Sequence, residues 1–183
     1  MVQLIATVTP LTPAGRAAVL ALSGYGIKAI HDSGQTITVL YALPSQAAVA
    51  PALAATLGTI VGIRYVVATS YGSNDQVITG KAVVKGAAPR GVAAHAVVTT
   101  VDGDVGAYVA RLEESLAGLG KLFVGATPIA IGHGDVLIEF DADEETDDDL
   151  GSAVAAARRI VGVTDFRSTV GVYTFYDASP KGV

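Results

Sequence analysis

At 183 residues, 51% of them apolar and with a mean hydropathy of +0.50, the chain has ample material for a buried core, which excludes global disorder. It contains no cysteine, so disulfides, a thiol nucleophile and cysteine-based zinc sites are excluded too. The net charge of -5 argues against sequence-independent nucleic-acid binding, but it is unevenly spread: residues 1–101 carry six basic and two acidic side chains, residues 102–183 six basic and fifteen acidic.

In chain order, residues 2–9 are β-branched and partly alternating, a strand signature. Thr12-Pro13 supplies an N-cap followed by proline in the first helical turn, and a helix is expected through Ala17, Ala18, Leu20 and Leu22 to a stop at Ser23-Gly24. Residues 27–31 and 36–43 read as strands around an Asp32-Ser33-Gly34 turn. Ser45 is placed to cap a second helix reaching Gly58, kinked or delayed by Pro51, and residues 63–70 follow as a fourth strand. Residues 71–93 are rich in glycine; the β-prone pieces 76–79 and 81–85 within them predict an extra hairpin rather than a pure linker.

The second half repeats this order. Residues 94–101 read as a strand, and residues 104–119 as a helix with Val105, Val109, Leu112, Leu116 and Leu119 at helical spacing. Residues 122–131 and 136–142 form a hairpin around Gly132-His133-Gly134-Asp135. Thr146, with Asp149 three positions on, marks a capping box for a helix carrying Leu150, Val154, Ala157 and Ile160, and residues 163–176 supply the last strand. Ile60-Val61-Gly62-Ile63 recurs as Ile160-Val161-Gly162-Val163 at the same point of the order. The predicted fold class is α+β: two tandem ferredoxin-like β-α-β-β-α-β units, with antiparallel sheets and helices on one face. The expected boundaries are a charge-poor unit at 1–72, a linker or hairpin at 73–93, and an acidic unit at 94–183.

Motifs that carry chemistry are few. Gly24-Tyr25-Gly26 opens a string with the letters of a dinucleotide fingerprint, but it follows a helix and opens a strand, the wrong polarity for phosphate at a helix N-terminus. The acidic run from Glu139 to Asp149 fails as an EF-hand, because Thr146 stands where the turn glycine is needed and Ser152 at the last ligand position. Asp141, Asp143 and Glu145 remain as candidates for a looser divalent-cation site, although negative charge at a helix N-terminus is also favoured by the helix dipole alone. His31, His95 and His133 are scattered, without a serine fixed in a nucleophile turn, and read as surface turn and strand-end residues. No catalytic site, cofactor or metal site is expected from these residues, and the chain reads as a non-enzyme.

Residues 1–72 contain only Arg16, Lys28, Asp32 and Arg64 as charged groups, where an ordinary domain would carry roughly eighteen. Such a surface suggests cover by another chain. The leading expectation is a non-catalytic structural or assembly protein, self-associating through sheet faces or edges or embedded in a shell or virion. Its partners would be itself or other protein subunits, not nucleic acid or membrane. With no basic leader and no convincing spanning segment, the expected location is cytoplasmic or particle-associated.

The alternative is a regulatory small-ligand-binding protein. The junction Thr100-Val101-Asp102-Gly103-Asp104-Val105-Gly106 resembles that of ACT-type amino-acid-binding domains. The resemblance implies a ligand site at a helix N-terminus lined by Asp102, Gly103 and Gly106; the usual proline of that turn is missing here.

Overall fold

The computed structural model describes residues 2–10, 12–21, 27–43, 55, 57–70, 76–79, 92–118, 123–141 and 147–176. Among the described residues the elements run β1 (Val2–Pro10), α1 (Pro13–Leu20), β2 (Ile27–Asp32), β3 (Ile37–Leu43), β4 (Ile63–Ser70), β5 (Gln76–Thr79) and β6 (Val92–Thr100). They continue as α2 (Val105–Leu116), β7 (Phe123–Ile131), β8 (Val136–Asp141), α3 (Asp147–Arg158) and β9 (Val163–Tyr176). Ser45 and Pro51 of the helix expected in the first half, the 81–85 strand of the expected hairpin, and the Thr146 cap lie outside the described residues.

Local chemistry explains where the first two helices begin. The Thr12 side chain accepts a hydrogen bond from the Gly15 amide at 3.0 Å, with proline in the first turn of α1. Asp104 accepts one from the Ala107 amide at 2.9 Å at the start of α2. Each satisfies an amide that the helix itself leaves without a partner. The repeated Ile-Val-Gly turn takes the same form twice, with Gly62 at φ 81° before β4 and Gly162 at φ 95° before β9.

Every strand pairing is antiparallel, and the fold is mixed α+β with few helices. The strands follow the order β4-β1-β3-β2-β9-β6-β8-β7, and β4 pairs again with β7, so eight strands close into a ring with β5 added on β7. Closure corrects the expectation of open sheet faces awaiting a partner: the faces turned away from the helices are turned toward each other.

Alternation in β6 sorts the two sides. Ala94, Ala96 and Val98 pack outward, with Val136, Ile138 and Phe140 of β8 and Val124 and Ala126 of β7, beneath Tyr108, Val109, Leu112 and Leu116 of α2 and Leu150, Ala153 and Ala157 of α3. Burying each large side chain of this layer contributes about 1.5–3 kcal/mol. His95 and Val97 take the other side, facing the interior.

The halves meet along two seams, and a glycine sits at each. β2 runs beside β9, and a side chain on Gly171 of β9 would lie 2.7 Å from Cα of Ser33. Among the described residues β4 meets β7 through two pairs, Val67 with Ile131 and Ala68 with Ile129. Gly132, at φ 116°, sits against β4 so closely that a Cβ would lie 2.8 Å from both the Tyr65 carbonyl oxygen and the Val66 Cα.

Candidate functional site

Cross-strand register places a row of polar side chains on the inner wall. His95 of β6 pairs with Glu139 of β8 on one side and with Thr169 of β9 on the other. The Thr169 and Thr36 hydroxyls are 2.7 Å apart, carrying the row on to the start of β3. His95 Nε2 lies 3.7 Å from Glu139 Oε1, and the imidazole is 2% exposed against 19% for the carboxylate. Directly opposite partners in a sheet share a face, so Thr169, His95 and Glu139 form one layer, and Arg167, Val97 and Leu137 the next.

Above this row a cavity of about 320 Å³ opens toward solvent. Thr9, Thr36, Arg64 and Val66 line it from the first half, and His95, Val97, Arg167 and Thr169 from the second, with His133 and Gln35 contributed by turns. Arg64 and His133 are exposed at the rim, while Thr36 and His95 are buried. Arg167 is held by Asp165, Nε to Oδ2 at 2.8 Å, on a side chain that is 61% exposed. An eight-stranded barrel has an interior just wide enough for side chains to fill or for one small ligand, and here the mouth is left open.

The turns at this end are firmly built. Asp135 accepts hydrogen bonds from the Thr100 amide at 2.7 Å and the Thr100 hydroxyl at 3.1 Å, fixing the β7–β8 turn to the end of β6. Asp32 pairs with Arg16 of α1 and accepts from the Gly34 amide at 2.7 Å, fixing the β2–β3 turn.

The residues singled out from the sequence lie elsewhere. Asp102, Gly103 and Gly106 are exposed around the start of α2, where the Asp102 carboxylate accepts from the Asp104 amide at 3.1 Å; none of them lines the cavity. Asp141 ends β8, opposite Ala93 and Phe123, while Asp143 and Glu145 lie outside the described residues. Among the described residues no three histidine or carboxylate side chains are grouped for a metal ion. His133 is an exposed turn residue as expected, but His95 is interior, not at the surface. Its strand reads Ala-His-Ala-Val-Val, which has no polar side to mark an outer face. Among the described residues no helix is long and apolar enough to cross a membrane.

No family model matches the chain, and no curated protein matches it by sequence. Solved structures match it by fold. A chlorite dismutase from Candidatus Nitrospira defluvii superposes with a TM-score of 0.56 at 12% identity, over 94% of this chain and 91% of that one. A heme-binding protein from Thermus thermophilus gives 0.50 at 11%, over 94% and 90%. A putative chlorite dismutase gives 0.50 at 11%, over 97% and 96%. At such identities the likeness is one of fold.

These findings overturn the expectation of a non-catalytic assembly protein embedded in a shell or virion, and with it the ACT-like alternative. The matching structures are chlorite dismutases and a heme-binding protein, not particle components. The physical premise is met within the same chain as well, because in the closed ring Thr36, Thr38 and Val66 of the charge-poor half are buried.

Proposed function

We propose that this chain is an internally duplicated pair of ferredoxin-like units, spanning 1–72 and 94–183, whose sheets close into one barrel with a binding site for a small molecule at its mouth. The repeated Ile-Val-Gly turn with positive-φ glycine at 62 and 162 supports the duplication. The observation that carries the binding reading is the 320 Å³ cavity, lined from both halves and floored by the buried His95. Binding sites are concave, largely preformed and furnished with a few convergent polar groups.

Heme is the ligand named for one structure of similar fold. Iron in heme is held by an axial histidine, cysteine, methionine or tyrosine, and the macrocycle needs a broad apolar slot beside that ligand. The described residues do not fit it. Between sheet and helices the space is filled by Val98, Val109, Leu112, Ile138 and Phe140. The phenol there, Tyr108, donates to the Ala157 carbonyl at 3.3 Å, and burial raises its pKa away from the anionic form that would ligate. In the barrel, His95 is an imidazole of the right kind, but it stands among hydroxyls and guanidiniums and not beside a broad apolar slot.

The test is a screen of charged and uncharged fragments against the isotopically labelled whole chain by amide NMR, with hemin titrated in parallel. Shifts clustered at Thr9, Thr36, Val97 and Thr169 are expected, with no stoichiometric Soret complex from hemin. Fragment shifts confined to the outer helices would overturn the barrel site. A one-to-one hemin complex lost in His95→Ala would overturn the exclusion of heme.

A further inference from the structure

The mouth of the barrel has a one-sided chemistry that goes beyond its being a cavity. Its lining brings together two guanidiniums, Arg64 and Arg167, and two imidazoles, His95 and His133, and it includes no carboxylate. Two acids on the same inner face are already engaged: Glu139 lies beside His95 and Asp165 beside Arg167. The Arg167–Asp165 pair is exposed, and such pairs contribute little and exchange readily with solvent or ligand. Among the described residues no carboxylate lies within ion-pairing distance of Arg64.

The two guanidiniums stand together in a chain whose net charge is -5 and whose second half is strongly acidic. A concave, low-dielectric wall focuses the field of the charges that line it and raises the local concentration of counter-ions. Guanidinium is also the side chain whose planar fork matches the paired oxygens of carboxylate and phosphate. The lining also includes the Thr9 hydroxyl and the mutually bonded Thr36–Thr169 hydroxyl pair, which keeps one proton to donate to an oxyanion at no cost in charge.

Resting on the barrel mouth being a binding site, we infer that its ligand is a compact organic oxyanion, a carboxylate or a phosphate ester. Arg64 and Arg167 hold the charged end at the rim, and the body of the ligand reaches down toward Val97 and His95. Arg64 comes from β4 and Arg167 from β9, so the site is complete only in the closed barrel.

Near-isosteric probes that differ in charge test this directly. Benzoate, benzamide and benzamidine are titrated into the whole chain beside phenyl phosphate, with affinity read by NMR on the cavity amides. The anions are expected to bind at least about tenfold more tightly than benzamide, a difference of roughly 1.4 kcal/mol, and benzamidine not at all. Whichever of benzoate and phenyl phosphate binds more tightly identifies the acid. Arg64→Gln and Arg167→Gln are each expected to erase most of that preference. Arg159→Gln, which removes the same charge from the exposed end of α3, should leave it intact.

Equal binding of benzoate and benzamide at the cavity would overturn the inference while leaving the binding site standing. A preference that falls as much in Arg159→Gln as in the two cavity variants would overturn it also, by reducing it to overall charge. If none of the four probes moves a cavity resonance, the site and the inference fail together.

Discussion

Two glycines with positive φ separate the cost of backbone conformation from the cost of crowding. Gly34, at φ 80° in the β2–β3 turn, has nothing within 4 Å of where a Cβ would stand. Gly34→Ala should therefore cost only the conformational penalty, about 1–2 kcal/mol. Gly132, at φ 116°, would place a Cβ against the backbone of Tyr65 and Val66, which cannot move without disturbing β4. Gly132→Ala is expected to cost about 2–4 kcal/mol, measured by urea unfolding beside Gly34→Ala; equal losses would show that the contact with β4 contributes nothing. That Gly132-His133-Gly134-Asp135 is a turn is legible from the sequence alone. That the turn packs on β4 is not, because no local pattern encodes a contact with a strand more than sixty positions earlier.

For single elements, α2 shows how far periodicity reaches. The spacing of Val109, Leu112 and Leu116 marks a buried stripe, and all three are buried. Tyr108, beside that stripe, is fully enclosed too, its hydroxyl donating to the Ala157 carbonyl of α3; a tyrosine at a helical position does not reveal from sequence whether its oxygen has a buried partner. Burial raises the Tyr108 phenol above its ordinary value near 10, and the sign of the consequence follows. The unfolded chain would ionise first, so the stability tied to this group is fully present below about pH 10 and declines as pH rises beyond it. Tyr108→Phe should lower stability near neutral pH by about 0.5–1.5 kcal/mol and flatten the alkaline decline expected in thermal melts between about pH 9 and 11. A variant that keeps the full alkaline slope would show that another group causes it.

Across the whole molecule, the order of elements is readable from residue patterns, but the ring is not. Period-two alternation identifies which strands have two different faces; it does not say whether the face away from the helices meets solvent, another chain or the rest of the same chain. The charge-poor first half therefore points equally well to a partner and to a barrel interior, and only the pairing of β2 with β9 and of β4 with β7 decides between them. The two seams are unequal. β4 and β7 share two pairs and β2 and β9 four, each with a shift in register, whereas β6 and β9 within the second half pair along their length. In hydrogen exchange, whichever of the 67 and 68 amides points to β7 and not to β1 is expected to lose protection well before those of Ala96 and Val98. Uniform protection around the ring would mean that the short seam opens only with global unfolding.

The Thr36–Thr169 hydroxyl pair joins residues 133 positions apart, and the β2–β9 seam beside it spans a similar separation. Loops of that length must close before the contacts can reward them, which slows folding and lengthens the life of incomplete forms. β9 is the last of the described strands in chain order and pairs with both β2 and β6. During synthesis, β1 to β8 must therefore wait for β9 with the edges of β2 and β6 unpaired, so this strand acts as the key that turns one open sheet into a sealed ring.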